Sequence, residues 1–399
     1  MNINDTPAEA AFRAQVRDWI AARVPANLKG LRNSNVSVPQ LSREELWPLR
    51  ELIAAEGWIV PELPREVGGA GLDAMQTIIL NEEMFDAGVP IVEARAPGTG
   101  NICQILNRWG TAEQKARFLT PTLQGRIYWC QGYSEPGAGS DLASLQLRAV
   151  RDGDAYVLNG QKIWTSQAHR ADAIFLLART DPDAPRRQQG ISFFIFDMKL
   201  PGIEVRPLVT IDGIHHFNET FFNDVRVPLD GLVGAENQGW TVAKALLVHE
   251  RLNAPGAHPQ VLALALDMLK GDARRAATPG GTAWTDAGLR RCVAAEEMES
   301  DCLRYTRYRA LTRIARGEQP GDETQFFKYV GSELFQRVLA THERDVFGPA
   351  GVAWEDEPFG RHVRELVRSN ATNRARTIAG GTSEVQRNVT AKRVLGLPD

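Results

Sequence analysis

Apolar positions in the first third of the chain recur at helical spacing. Phe12, Val16, Trp19 and Ile20 form one stripe. Ahead of it, Thr6-Pro7-Ala8-Glu9 supplies a capping residue, a proline suited to a first turn and an acid three places after the cap. Pro25 ends that run. Ser42 and Glu45 have capping-box spacing and open a second helix that stops at Gly57, with Pro48 inside it. Residues 72–86 and 101–125 also alternate as helices do, separated from the rest by Pro61-Glu62-Leu63-Pro64 and Gly68-Gly69.

The texture changes near residue 126. Residues 155–158, 162–166, 174–180, 191–197, 203–209 and 220–227 are short runs rich in β-branched and aromatic side chains, parted by glycine, proline and aspartate. Asn159-Gly160 lies between two of them and predicts a hairpin, because both residues tolerate positive φ. Helical periodicity returns from Trp240, with long helices over 286–316 and 323–347, a short one over 384–394, and a loop over 271–285. The pattern predicts a multi-domain α+β chain. An N-terminal α-helical domain (1–125) precedes a middle antiparallel, barrel-like β domain (126–238) and a C-terminal domain like a four-helix bundle (239–399). No βαβ alternation and no repeat of 20–50 residues interrupts this order.

Composition narrows the field without naming a function. The chain has 399 residues, 43% hydrophobic and 24% charged, enough for a large core. A net charge of −3 speaks against nucleic acid or an acidic membrane as partner. No run reaches the about 20 apolar residues of a membrane span. Asp5, Glu9 and Asp18 make the first segment unlike a signal or transit peptide. Cys103, Cys130, Cys292 and Cys302 form no CxxC pair, which predicts neither disulfide frame nor metal site and a cytoplasmic location. No GxGxxG follows a strand, and neither a Walker loop nor HExxH occurs. Gly132-Tyr133-Ser134-Glu135-Pro136 misses a hydrolase nucleophile elbow by one residue, with proline where glycine is needed.

The stretch Trp129-Cys130-Gln131-Gly132-Tyr133-Ser134-Glu135-Pro136-Gly137-Ala138-Gly139-Ser140-Asp141 holds most of the chemistry. Its glycines expose backbone amides, and its serines add hydroxyls that donate and accept. Taken alone it also reads as an ordinary turn between helix and strand. With its neighbours it resembles the flavin-binding loop of the acyl-CoA dehydrogenase family. Further matches follow in order: Gly110-Thr111-Ala112-Glu113-Gln114-Lys115, Asn159-Gly160-Gln161-Lys162-Ile163-Trp164-Thr165-Ser166, Phe217-Asn218-Glu219, Val225-Arg226-Val227-Pro228, Val233-Gly234 and Gly381-Thr382-Ser383-Glu384-Val385-Gln386-Arg387.

The resemblance implies FAD as cofactor and assigns roles. Ser134 matches the hydroxyl beside the pyrimidine side of the isoalloxazine, with Gln131, Tyr133 and Gly139 in the same loop. Trp164 matches the aromatic packed on the flavin and Ser166 the hydroxyl near N5. Thr382 and Glu384 match positions by the ribityl-pyrophosphate, and Ser140 one near the acyl-CoA thiol arm. The residues also allow plainer readings: Trp164 as β-domain core, and Ser383 with Gln386 as a helix cap.

The family's reaction needs a base for the proton α to a thioester carbonyl, while hydride leaves the β carbon for flavin N5. In much of the family that glutamate precedes the glycine-threonine of the C-terminal motif. Here Gly380 stands there, and its amide is left to polarise the carbonyl. Other branches carry the glutamate on a third-domain helix just before an arginine, and His249-Glu250-Arg251 follows Gly239-Trp240-Thr241-Val242-Ala243. The resemblance therefore implies Glu250 as base and Arg251 near the substrate, with His249 as fallback. A solvent-facing Glu–Arg pair is the bland alternative. Pro255, Gly256 and Pro259 predict a break in that helix.

Two departures concern how FAD is shared. The usual Arg-x-x-Phe-Gly stretch is replaced by residues 271–285. The glycine-rich segment reads Asp345-Val346-Phe347-Gly348-Pro349-Ala350-Gly351, with Asp345 in place of a glutamine. Such changes resemble a bacterial branch acting on dicarboxylic, cyclic or steroid-side-chain acyl-CoAs, whose members form homo-oligomers (dimer or tetramer) or pair with a related subunit. The implied partners are an acyl-CoA and an electron-transferring flavoprotein. A flavin oxidase or monooxygenase on the same fold, or a non-catalytic partner subunit, are the alternatives.

Overall fold

Capping chemistry starts the first helices where their sequences place the caps. In the computed structural model, which describes residues 5–31, 41–96, 98–252, 259–316, 318, 321–348 and 360–398, Thr6 and Ser42 form reciprocal boxes with Glu9 and Glu45. They open α1 (Pro7–Arg23) and α2 (Arg43–Ala55). Pro48 is accommodated inside α2. Asp73 and Gln76 make a third box ahead of α3 (Ala74–Asp86), and α4 (Ile91–Arg95) and α5 (Thr99–Trp109) follow. The helix expected over 101–125 is broken: Gly110 ends α5, and Thr111 caps α6 (Ala112–Gln114). A π turn (Lys115–Leu119) and α7 (Thr120–Leu123) complete that stretch.

Seven strands build one curled sheet: β1 (Trp129–Gly132), β2 (Arg148–Asp152), β3 (Ala155–Lys162), β4 (Ala173–Arg179), β5 (Ile191–Asp197), β6 (Ile203–Val209) and β7 (His215–Pro228). Their order is β1-β4-β2-β3-β7-β6, with β5 on β4. Pairing is mostly antiparallel, but β1 runs parallel to β4, and β2 meets β4 in parallel at Arg148 and Arg179. Cys130, Leu158, Ile174, Leu176, Phe194, Phe222 and Val225 fill its inner side.

Two strand expectations are corrected. Asn159-Gly160 makes no hairpin; both residues lie inside β3 at a bulge against β7. Gly160 has φ +140, and a Cβ there would meet Leu147 Cα at 3.1 Å. Asn159 instead accepts from the Asp224 amide and donates to its carboxylate across the pair. The β2–β3 turn falls at Gly153, with φ +61. Nor do residues 162–166 form a strand: β3 ends at Lys162, because Trp164 has φ +60.

The last third holds α8 (Gly239–Leu252), α9 (Pro259–Ala273), α10 (Ala287–Ala315), α11 (Phe327–Thr341), α12 (Gly360–Asn373) and α13 (Ser383–Arg393). A single helix was expected over 323–347; α11 is its middle, and a π turn (His342–Phe347) follows. The 271–285 segment is less loop-like than its composition predicts. α9 runs to Ala273, and a small hairpin pairs β8 (Ala277–Thr278) with β9 (Gly281–Thr282). Pro259 begins α9 instead of kinking α8, as a residue without an N–H suits a first turn. Pro255 and Gly256, like Pro349, Ala350 and Gly351, lie outside the described residues.

The chain divides into two compact units, residues 41–72 with 91–249, and residues 1–40 with 73–90 and 250–399. The first contains the sheet. In the second, Leu262, Leu266 and Leu269 of α9 pack with Leu289 and Val293 of α10 and Leu334, Phe335 and Val338 of α11. Among the described residues no helix is long and apolar enough to cross a membrane.

Candidate functional site

The sheet unit presents the first group of residues. Arg50 of α2 anchors the entry to β1 while fully buried, donating to the carbonyls of Ala94 (2.5 Å), Gly125 (2.6 Å) and Ile127 (2.8 Å). Its guanidinium also sits 4.0 Å from the Tyr128 ring centroid. β1 then delivers Gln131, half-buried, to the loop that follows. Tyr133 is buried with its ring edge-on to Phe175 and Phe193, and Ser134 is half-buried. Gly139 and Ser140 lie on the exposed far side of the same loop. A Cβ at Gly137 or Gly139 would meet no atom within 4 Å, so these backbones face open space.

One buried ion pair holds the loop. Lys162 Nζ lies 2.7 Å from Glu135 Oε1 and donates to the Tyr133 carbonyl at 3.1 Å. The Glu135 carboxylate also accepts from the amides of Gln146 (Oε2, 2.6 Å) and Leu147 (Oε1, 2.9 Å). Lys162 is wholly buried, and burial brings its ammonium down to about 8 against the opposing pull of Glu135. Ser134 is thus flanked on both sides by tethered residues.

The next segment closes against this loop, where the Ile163 N–H donates to the Ser134 carbonyl at 2.9 Å. Trp164 follows in a left-handed conformation with half its surface, 51%, exposed. It is therefore not β-domain core. Its ring meets Phe217 edge-on at 5.7 Å. Thr165 is fully buried, and its Oγ1 has no hydrogen-bond partner among the described residues. Ser166 is half-buried beside it. So Ser134, Trp164 and Ser166 are brought together; no described contact joins Ser140 to them.

The helical unit carries the second group. Gly380 and Gly381 adopt φ of +65 and +89 ahead of α13. A Cβ on Gly381 would come within 2.5 Å of Gln386 Nε2, which donates to the Gly380 carbonyl. Thr382, not Ser383, caps α13: its hydroxyl accepts from the Val385 amide at 3.2 Å. Ser383 Oγ and Gln386 Oε1 are buried without partners among the described residues. Glu384 is exposed in the first turn, and hydrogen bonds from its own amide and the Thr382 hydroxyl lower its carboxyl. Glu250 and Arg251 lie near the C-terminal end of α8, where the backbone alone is described. Among the described residues no group of three His, Cys, Asp or Glu is placed to hold a metal.

The chain matches three family models in order: the N-terminal domain of acyl-CoA dehydrogenase over residues 6–126, the middle domain over 130–225 and the C-terminal domain over 237–395. It is 37% identical over 398 residues to acyl-CoA dehydrogenase IpdE1 of Mycobacterium tuberculosis, covering 97% of each chain. The chain belongs to the acyl-CoA dehydrogenase family. Among solved structures, the Tcur3481-Tcur3483 steroid ACAD is similar with a TM-score of 0.83 and 30% identity over 100% of both chains. The ChsE4-ChsE5 complex from Mycobacterium tuberculosis is similar with a TM-score of 0.81 and 30% identity, again over 100% of both.

Acyl-CoA dehydrogenases are FAD-dependent oxidoreductases, and the chain is an enzyme of this class. The donor set fits such a cofactor. It offers neutral hydroxyls, an orphaned buried Thr165 Oγ1, open backbone amides and one half-exposed indole, the groups a flat heteroaromatic with carbonyls and ring nitrogens requires. Sequence reasoning missed that Glu135 and Lys162 pair with each other and that Asn218 bonds to Thr165. All three stood in the recognised motifs, but only their burial and partners show what they hold.

Proposed function

We propose that this chain removes the α-proton and β-hydride of an acyl-CoA thioester to give the trans-2-enoyl-CoA. The observation that carries the reading is the junction of Ser134 with Trp164 through the Ile163 N–H, beside a Thr165 hydroxyl without a partner among the described residues. FAD, when bound, supplies the two-electron acceptor for the hydride. Gln131, Tyr133, Ser134, Gly139, Trp164 and Ser166 hold its ring system, while Thr382 and Glu384 lie by its ribityl-pyrophosphate part. The capped N-terminus of α13 suits an anion, because its amides point outward and the helix dipole is positive there.

Glu250 takes the α-proton. Gly380 leaves no carboxylate before Gly381, and its N–H donates to the thioester carbonyl as negative charge grows on that oxygen. Ser140 and Arg251 contact the substrate. The three-domain division at 125/126 and 238/239 and a cytoplasmic location belong to the same reading. Electrons pass on to an electron-transferring flavoprotein. Cyclic and steroidal acyl-CoAs are the first substrates to test, given the similarity to a steroid ACAD.

A second arrangement has support from the similar ChsE4-ChsE5 complex: the chain works beside a related subunit instead of its own copies. Anaerobic bleaching of the flavin with short, long, branched, dicarboxylic and steroidal acyl-CoAs tests the activity. Bleaching by at least one supports it, and rapid peroxide formation in air without an acceptor protein favours an oxidase instead.

A further inference from the structure

Asn218 lies within the Phe217-Asn218-Glu219 motif, to which no role has yet been given. It is fully buried in β7 and meets the Trp164 segment at two points. Its carbonyl accepts from the Thr165 N–H at 3.0 Å, and its Nδ2 donates to the Thr165 carbonyl at 2.9 Å. One residue before it but one, His216, accepts through its carbonyl from the Gln167 N–H at 2.8 Å.

These bonds grip a segment that would not hold its shape alone. Trp164 and Gln167 both have positive φ, +60 and +54, and neither is glycine. Two left-handed non-glycine residues within four positions cost free energy and persist only where their surroundings over-determine them. The Asn218 side chain is itself fixed by two imidazoles. Because Nδ2 is committed as a donor, Oδ1 is the acceptor, so His215 Nε2, 2.7 Å away, carries the proton. His169 Nδ1, at 3.3 Å, accepts the second Nδ2 proton. The rings of His169 and His215 stack at 4.1 Å, clamping the amide from both of its atoms.

We propose that Asn218 is a positioning residue for the cofactor: it forces residues 164–167 into the conformation that presents Trp164 and Ser166 to the isoalloxazine. The proposal rests on the assignment of Trp164 and Ser166 made above. Asn218 touches neither cofactor nor substrate; it acts through the Thr165 backbone.

The test is titration of the apoprotein with FAD, read by quenching of flavin fluorescence and by the visible band shape of the bound flavin. Asn218→Ala and the near-isosteric Asn218→Asp, which removes the donor, should weaken FAD binding roughly 10- to 100-fold and change the band shape. In a Trp164→Ala background, Asn218→Ala should cost clearly less affinity than it does in the wild type, because one of the two groups it positions is gone. His215→Phe keeps the test open if the Asn218 variants do not fold; it loosens only the Oδ1 contact and should cost roughly 3- to 10-fold. Wild-type affinity and band shape in the folded Asn218 variants, or in His215→Phe if those do not fold, overturn the proposal while Trp164→Ala still binds poorly. A full additive loss in the Trp164→Ala background also overturns it. Wild-type affinity in Trp164→Ala itself overturns the cofactor assignment instead.

Discussion

Removing the Lys162 ammonium leaves the Glu135 carboxylate buried beside the Tyr133 carbonyl with its charge uncompensated. Lys162→Met should therefore lower stability by about 3–5 kcal/mol, while Lys162→Met with Glu135→Gln should recover most of it, measured by urea unfolding. A second residue-scale effect is pH-dependent. Burial lowers the His216 imidazole, and burial together with its neighbour His215 lowers that of His169. For each, the unfolded chain binds a proton more readily than the folded one, so stability is full above the ordinary histidine value and falls as pH drops through it. The thermal midpoint should fall between pH 7.5 and 5.5, and His216→Phe should flatten that fall. Catalysis has its own residue-scale test. Glu250→Gln should leave yellow, FAD-bound protein whose turnover is down by about 10²- to 10⁴-fold, since a general base contributes on that order. Wild-type turnover in that variant would refute the assignment of the base.

Helices were legible where local chemistry sets their ends. The boxes at Thr6 and Ser42 stand where their sequences place them, because a cap is a contact between residues three apart. Ser42→Ala should cost about 0.5–2 kcal/mol, seen as a lower thermal midpoint. Strands were less legible, because their pairing is a long-range choice. Asn159-Gly160 carries the turn chemistry of a hairpin, yet β7 pairs along both sides of it and turns the same residues into a bulge. Gly160 is then needed for the close approach of Leu147, not for a turn. Gly160→Ala should destabilise the sheet unit and, through β3, loosen Lys162. Trp164 illustrates the same limit: no local signal marks its positive φ, which the contacts with Asn218 impose.

At the scale of the whole chain, the subunit arrangement has its own test. If the chain works beside a related subunit, light scattering should show a mixed oligomer on co-expression, with more bound flavin than in the chain purified alone. Homo-oligomers with full flavin occupancy would exclude that arrangement. The order α, β, α is written in the periodicities, because a period near 3.6 or 2 reports which face of an element is buried. The family motifs are likewise local, and so are the loss of a carboxylate at Gly380 and the presence of one at Glu250. Tertiary structure alone decided what holds the motifs in place. The Glu135–Lys162 pair joins residues 27 apart, and the Asn218–Thr165 bonds join residues 53 apart. Spacing carries no trace of either, because both arise from removing charged and polar groups from water, where each must find a partner wherever the fold provides one.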